Sequence, residues 1–127
     1  MQIDVNNKKK IITIDIAGEL TEELVNESIQ EISKNIEKLL YKGNINLREW
    51  RINLYTCHMI MKNRKEYMYM KDLIDNIVKY KFKIFDIIIS KAQKTYKEHI
   101  GEIVDKYYSN KGIKLLNSNN IFKFNVW

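Results

Sequence analysis

The chain has 127 residues, of which 45% are hydrophobic and 30% are charged, and these values are typical of one globular domain over residues 1–127. No apolar run reaches the ~18 residues of a membrane span, and the N-terminus lacks a signal-peptide pattern. We therefore expect a cytoplasmic protein without a membrane partner, and the single cysteine, Cys57, excludes an internal disulfide.

The net charge of +6 is unevenly distributed along the chain. Residues 1–50 contain 7 basic and 9 acidic side chains, whereas residues 51–127 contain 15 basic and 7 acidic ones. This basic half also carries seven tyrosines, and aromatic rings can stack on bases, so weak nucleic-acid binding is one hypothesis. It is not favoured, because lysine outnumbers arginine by 19 to 3 and proline is absent, a usage typical of an AT-rich genome.

The first half of the chain predicts a strand, a long helix and a second strand. Isoleucines at alternate positions of residues 10–17 indicate a strand with one buried face. Thr21 is expected to cap a helix of about five turns, since apolar residues then recur every three or four positions. The helix is expected to end at Gly43, and alternation predicts a second strand over residues 50–57.

The second half predicts two more helix–strand units. Apolar spacing indicates a helix around Met70–Val78, and the apolar run Phe82–Ile89 indicates a central strand covered on both faces. Ser90 is expected to cap a third helix, and two short strands follow at Ile113–Leu116 and Ile121–Val126. The order β-α-β-α-β-α-β-β predicts an α/β fold whose mostly parallel sheet is closed by a strand pair.

Several short motifs occur in the same order as in one known family. Residues 11–32 hold a strand that ends in Gly-Glu-Leu and is followed by an acidic turn and a helix. Residues 87–92 read Ile-Ile-Ile-Ser-Lys-Ala, and residues 116–118 read Leu-Asn-Ser. Together these segments resemble the ClpP-like proteases of the crotonase-like superfamily. The resemblance implies a ClpP/crotonase-like fold and a homo-oligomer.

The catalytic positions of that family are not matched. The family uses a serine at a helix start, a later histidine and a Gly-Gly oxyanion hole. Here Lys94 stands at the serine position and Lys123 near the histidine position. Ile60 and Met61 stand where the family has its glycines. The resemblance therefore implies a shortened pseudoenzyme without a cofactor, acting as an assembly or protein-binding module.

Residues 14–24 are equally similar to the opening of a second family, the STAS domains (anti-sigma-factor antagonists). These domains also begin with a strand, a Gly-Glu-Leu and a helix. Their Asp-Ser-Ser-Gly phosphorylation signature should follow the next strand, where this chain has Thr56-Cys57-His58. A regulatory interaction domain of STAS type is therefore the alternative. A mixed sheet with its N-terminal strand at one edge favours STAS, and a spiralling sheet with a second layer favours ClpP.

Five residues are candidates for contacting a partner. Tyr67, Met68 and Tyr69 follow the second strand, and both residue types adapt well to binding surfaces. The matching region of ClpP-like proteins lines the substrate groove. Lys91 and Lys94 flank the expected start of the third helix, where backbone N–H groups attract anions.

Cys57 and His58 do not predict a catalytic pair. Neighbouring residues of a strand point to opposite faces, so His58 is not expected to reach the Cys57 thiol. His99 lies among core positions of the third helix. No carboxylate stands at a ligand spacing from these three residues, so we expect neither a metal site nor a catalytic site.

Overall fold

A computed structural model describes residues 1–90, 93–108 and 113–117 of the chain. Five strands and three α-helices make up this part. The strands are β1 (Gln2–Asn6), β2 (Ile11–Glu19), β3 (Arg51–Ile60), β4 (Ile84–Ile89) and β5 (Ile113–Asn117). The helices are α1 (Glu22–Tyr41), α2 (Tyr67–Val78) and α3 (Lys94–Tyr108), and 3-10 turns lie at Leu47–Glu49 and Arg64–Glu66.

The strands form a single sheet in the order β1-β2-β3-β4-β5. β1 pairs antiparallel with β2, and every later pair is parallel. Each parallel pair is joined through one helix, the connection that parallel neighbours require. The prediction of an α/β fold with a mostly parallel sheet is therefore confirmed.

The hydrophobic core lies between one face of the sheet and the three helices, and we call this face the helix face. Ile14, Leu54 and Ile87 stand on it in one row across β2, β3 and β4, and all three are fully buried. They join one cluster with Ile32 of α1, Leu73 of α2 and Ile100 of α3. The opposite side of the sheet is called the helix-free face below.

The boundaries of α1 follow the predicted signals. Thr21 has extended backbone geometry, and its side-chain oxygen accepts a hydrogen bond of 3.1 Å from the N–H of Leu24. The helix ends at Tyr41, and Gly43 adopts a positive φ of 78°, which glycine does without strain. The cap and the stop predicted for this helix are confirmed.

Two sequence predictions differ from the structure, and a third lies outside it. β1 was not predicted: Ile3 and Val5 alternate with polar residues, but the segment has only five residues and a run of lysines follows it. The predicted cap at Ser90 is wrong, since α3 begins four residues later at Lys94. The predicted last strand, Ile121–Val126, lies outside the described residues.

Candidate functional site

Parallel strands end at one edge of a sheet, and the ends of β3 and β4 are fastened together by Gln93, which precedes α3. Its Nε2 donates to the carbonyl oxygens of Thr56 at 3.0 Å and Met59 at 3.2 Å. Its Oε1 accepts from the N–H of Ser90 at 2.7 Å. The start of α3 is therefore held at a fixed distance from the end of β3.

A buried hydrogen-bond chain supports this edge from beneath. The hydroxyl of Tyr96 donates to Thr56 Oγ1 at 2.8 Å, and Thr56 Oγ1 donates to the carbonyl of Ile88 at 3.1 Å. Burial raises the pKa of Tyr96 well above its usual value, so its hydroxyl stays protonated and able to donate. These two hydrogen bonds link α3 to β3 and β4.

The start of α2 is organised by a local exchange of hydrogen bonds. Asn63 Oδ1 accepts from the N–H of Glu66 at 3.3 Å, and Glu66 Oε2 accepts from the N–H of Lys62 at 2.8 Å. A polar residue paired with a glutamate three positions later is a common way to start a helix. The turn leaves Arg64 and Lys65 exposed to solvent.

A groove of about 210 Å³ runs between α2 and α3, and we call it the α2–α3 groove. Tyr67 forms its buried floor, with its ring centroid 4.5 Å from that of His99. Met68 and Tyr107 are 50% and 43% exposed and present apolar surface to solvent. The charged residues of its lining are Arg64, Glu102 and Lys106.

A second cleft of about 370 Å³ adjoins the groove at the carboxyl edge of the sheet, and we call it the edge cleft. Tyr67 lines both, so the two clefts adjoin at this residue. Ile60, which is 56% exposed, and Lys94 also line the edge cleft. The two linings combine apolar side chains with three basic residues, Arg64, Lys94 and Lys106, and one acidic residue, Glu102.

The five candidate residues selected from the sequence fall in different places. Tyr67 and Met68 line the α2–α3 groove, and Lys94 lines the edge cleft. Tyr69 lies partly buried against the core, since one residue along a helix turns the side chain by about 100°. Lys91 lies outside the described residues.

Sequence reasoning missed the contribution of α3 to the groove. His99, Ile103, Lys106 and Tyr107 follow one another at spacings of one, three or four residues on one side of that helix. The same spacing in the sequence indicated only a helix with a buried stripe. Which other helix meets this stripe depends on the sheet order, which a single sequence does not display.

A third cleft, of about 330 Å³, lies on the helix-free face and corrects the interpretation of Cys57 and His58. β2 has one residue between Asp15 and Ala17, whereas β3 has two between their partners, Tyr55 and His58. This bulge breaks the strict alternation of side chains, and both Cys57 and His58 line the same cleft. The expectation that they face opposite sides is wrong at this point.

The polar groups of this third cleft make only a few contacts with one another. His58 Nδ1 lies 3.6 Å from Asp15 Oδ1, and the Cys57 thiol lies 3.6 Å from the carbonyl of Ile88. Burial, with Cys57 and Asp15 nearby, raises the pKa of Tyr55, which disfavours a phenolate nucleophile. Within the described ranges, no three His, Cys, Asp or Glu side chains could hold a metal ion.

The tyrosines of the basic half are poorly placed for stacking on bases. Tyr67, Tyr96 and Tyr108 are buried. The hydroxyls of Tyr96 and Tyr108 donate hydrogen bonds to groups inside the protein. Among the described residues of the basic half, Tyr107 is the aromatic residue that is substantially exposed. None of the helices in that part has the length and apolarity to cross a membrane.

No protein-family model matches the chain, and no curated protein matches it either.

Proposed function

We propose that this protein is a non-catalytic, protein-binding domain of the STAS type. The observation that carries the proposal is the sheet order. An antiparallel N-terminal strand lies at one edge, and four parallel strands follow in chain order. The described strands belong to one layer, which favours the STAS resemblance over the ClpP-like one.

The α2–α3 groove and the edge cleft are the proposed binding surface. Exposed Met68, Ile60 and Tyr107 offer apolar contact area, and residues of this kind form the centres of protein interfaces. Arg64 and Lys106 line the groove together with one acidic residue, Glu102, and Lys94 lines the edge cleft, so basic residues outnumber acidic ones in the two linings. Opposite charges steer partners together, so the partner expected here is a protein with an acidic rim around an apolar centre.

Regulation by phosphate after β3, as the STAS resemblance would suggest, is not part of the proposal. Residues 61–66 contain no serine, threonine or tyrosine. Thr56, the nearest hydroxyl residue on β3, is fully buried and bonded to both Tyr96 and Ile88. The residues that directly follow β3 therefore offer a kinase no accessible hydroxyl.

A pair of matched charge reversals tests the proposed surface. The double variant Arg64→Glu/Lys106→Glu reverses two cations of the groove, and Lys34→Glu/Lys38→Glu reverses two exposed cations of α1. Each pair changes the net charge by the same amount. Tagged proteins expressed in the source cells would be cross-linked, purified and compared by quantitative mass spectrometry.

We expect at least one acidic protein that the wild type and the α1 variant capture equally and the groove variant captures at least tenfold less. Equal capture by all three proteins, or no partner above background, would contradict the proposal. Thr95 lies beside Lys94, the position of the catalytic serine in the ClpP-like resemblance. Peptide hydrolysis that disappears in Thr95→Ala would therefore contradict the non-catalytic part of the proposal.

A further inference from the structure

Among the strands that the structure describes, β1 forms one edge of the sheet. β2 pairs with one side of β1, and no described strand pairs with the other side. Gln2 and Asp4 are exposed along this edge. An edge strand presents unpaired backbone N–H and C=O groups, which readily form hydrogen bonds with a further strand. This edge is therefore a candidate surface for pairing with another chain.

The edge is apolar on the helix face of the sheet. The register with β2 places Ile3 beside Ile14, which stands on that face, and Val5 follows the same alternation. Both Ile3 and Val5 are partly buried against the core, whereas Met1 is 45% exposed. A cleft of about 440 Å³ lies over Met1 and Ile3 beside α1. This end of the sheet therefore leaves apolar surface uncovered on its helix face.

We propose that two copies of this chain pair antiparallel through β1, about a two-fold axis that passes between the two Ile3 residues. A two-fold axis brings the same strand of both copies together. In this register, Met1 of each copy stands opposite Val5 of the other, and Ile3 stands opposite Ile3, so the helix face of the seam is apolar throughout. On the other face Gln2 stands opposite Asp4, whose carboxylate accepts hydrogen bonds from the amide.

The two neighbouring registers with the same symmetry are less complementary. An axis at Asp4 places the two Asp4 carboxylates opposite each other, and like charges at such positions destabilise a strand pair. An axis at Val5 places the apolar Ile3 opposite the polar Asn7. The sequence of β1 therefore complements itself best about Ile3.

The charges that flank β1 also fit this arrangement. The turn after β1 carries the exposed Lys8 and Lys9, and α1 begins with the exposed Glu22 and Glu23. Continuing both registers brings Lys8 of one copy level with Glu19 of the other, at the end of the sheet where α1 begins. The two strands concerned are two spacings apart, about 10 Å, which long side chains can bridge. Opposite charges therefore lie at both ends of the seam and favour this alignment.

Methyl NMR on a mixture of labelled and unlabelled chains tests the pairing directly. Met1 and Val5 lie four residues apart on one strand, about 14 Å, so a nuclear Overhauser contact between their methyl groups arises only between copies. We expect this contact at high protein concentration, because one short strand from each copy makes a small interface and a weak dimer. A monomer at every concentration in sedimentation experiments, or a dimer without the Met1–Val5 contact, would overturn the proposal.

Matched substitutions at Gln2 test the register. Gln2→Lys places a cation opposite Asp4 twice in each dimer and should tighten the dimer about fivefold, and Gln2→Glu should weaken it about fivefold. Net charge alone predicts the reverse order, because the chain already carries +6. Gln30→Lys and Gln30→Glu make the same changes at an exposed position of α1 outside the cleft and are the controls. Equal dimer constants for the two Gln2 variants, the reverse order, or the same shifts at Gln30 would overturn the proposal. It does not depend on the α2–α3 groove, which no residue of β1 or α1 lines.

Discussion

The hydroxyl chain from Tyr96 through Thr56 to Ile88 predicts a specific ranking of destabilised variants. Tyr96→Phe removes one donor, and Thr56 still donates to Ile88, so we expect a loss of about 1 kcal/mol in the free energy of unfolding. Thr56→Val leaves the Tyr96 hydroxyl buried and unpaired and removes the bond to Ile88. Its cost should be about 2 kcal/mol.

The double variant Thr56→Val/Tyr96→Phe removes the orphaned hydroxyl as well. It should lose about 2 kcal/mol, which is about 1 kcal/mol less than the sum of the single losses. Urea unfolding followed by circular dichroism measures all four proteins. In a chain of this length, 1 kcal/mol corresponds to a change of about 4 °C in Tm. Additive losses, or Tyr96→Phe more damaging than Thr56→Val, would refute the reasoning.

Comparison of the wild type with Tyr96→Phe also predicts how stability depends on pH. Folding raises the pKa of Tyr96, so the unfolded chain releases that proton first as the solution becomes alkaline. The stability linked to this group is complete below pH 10, its ordinary pKa, and falls as pH rises further. Between pH 9 and 11, Tyr96→Phe should therefore lose less stability than the wild type does.

Three further predictions concern residues that hold the elements in place. Gln93→Ala should cost about 2 kcal/mol and speed hydrogen exchange at residues 57–60, whereas Lys94→Ala should change neither. The hydroxyl of Tyr108 contacts the carbonyl of Lys71 at 3.2 Å and the carboxylate of Asp75, and Tyr108→Phe removes it. The variant should lose about 1.5 kcal/mol in the free energy of unfolding, measured with urea. A loss below about 0.5 kcal/mol, typical of a surface change, would refute a structural role for this hydroxyl. Thr21→Ala should cost about 1 kcal/mol in thermal unfolding and Thr21→Ser much less, because serine keeps the capping oxygen; equal losses would contradict the cap.

The sequence was most informative where structure is local. The isoleucines of β2, the cap at Thr21 and the stop at Gly43 act through residues a few positions apart, so pattern and propensity are sufficient. The alternation of strands and helices also predicted the parallel sheet. Tyr67 and Met68 were selected because tyrosine and methionine adapt well to binding surfaces, and both line the α2–α3 groove.

Features that depend on distant partners were not predictable in this way. β1 has only two apolar residues, Ile3 and Val5, in alternation, and this short pattern becomes decisive only with the hydrogen bonds of its antiparallel pairing with β2. The bulge at Thr56 and Cys57 appears only once the register with β2 is known. The groove wall from α3 depends on which helices become neighbours, and that follows from the sheet order.

The order of the strands also bears on how the protein is made. Each parallel strand pairs with the strand that precedes it in the chain, so no pairing waits for a segment synthesised much later. Domains begin to fold from the N-terminus while the ribosome is still working. Once β4 has emerged, β1 to β4 and the first two helices can already be assembled. The last unit, α3 with β5, then closes the groove as it adds to an existing edge.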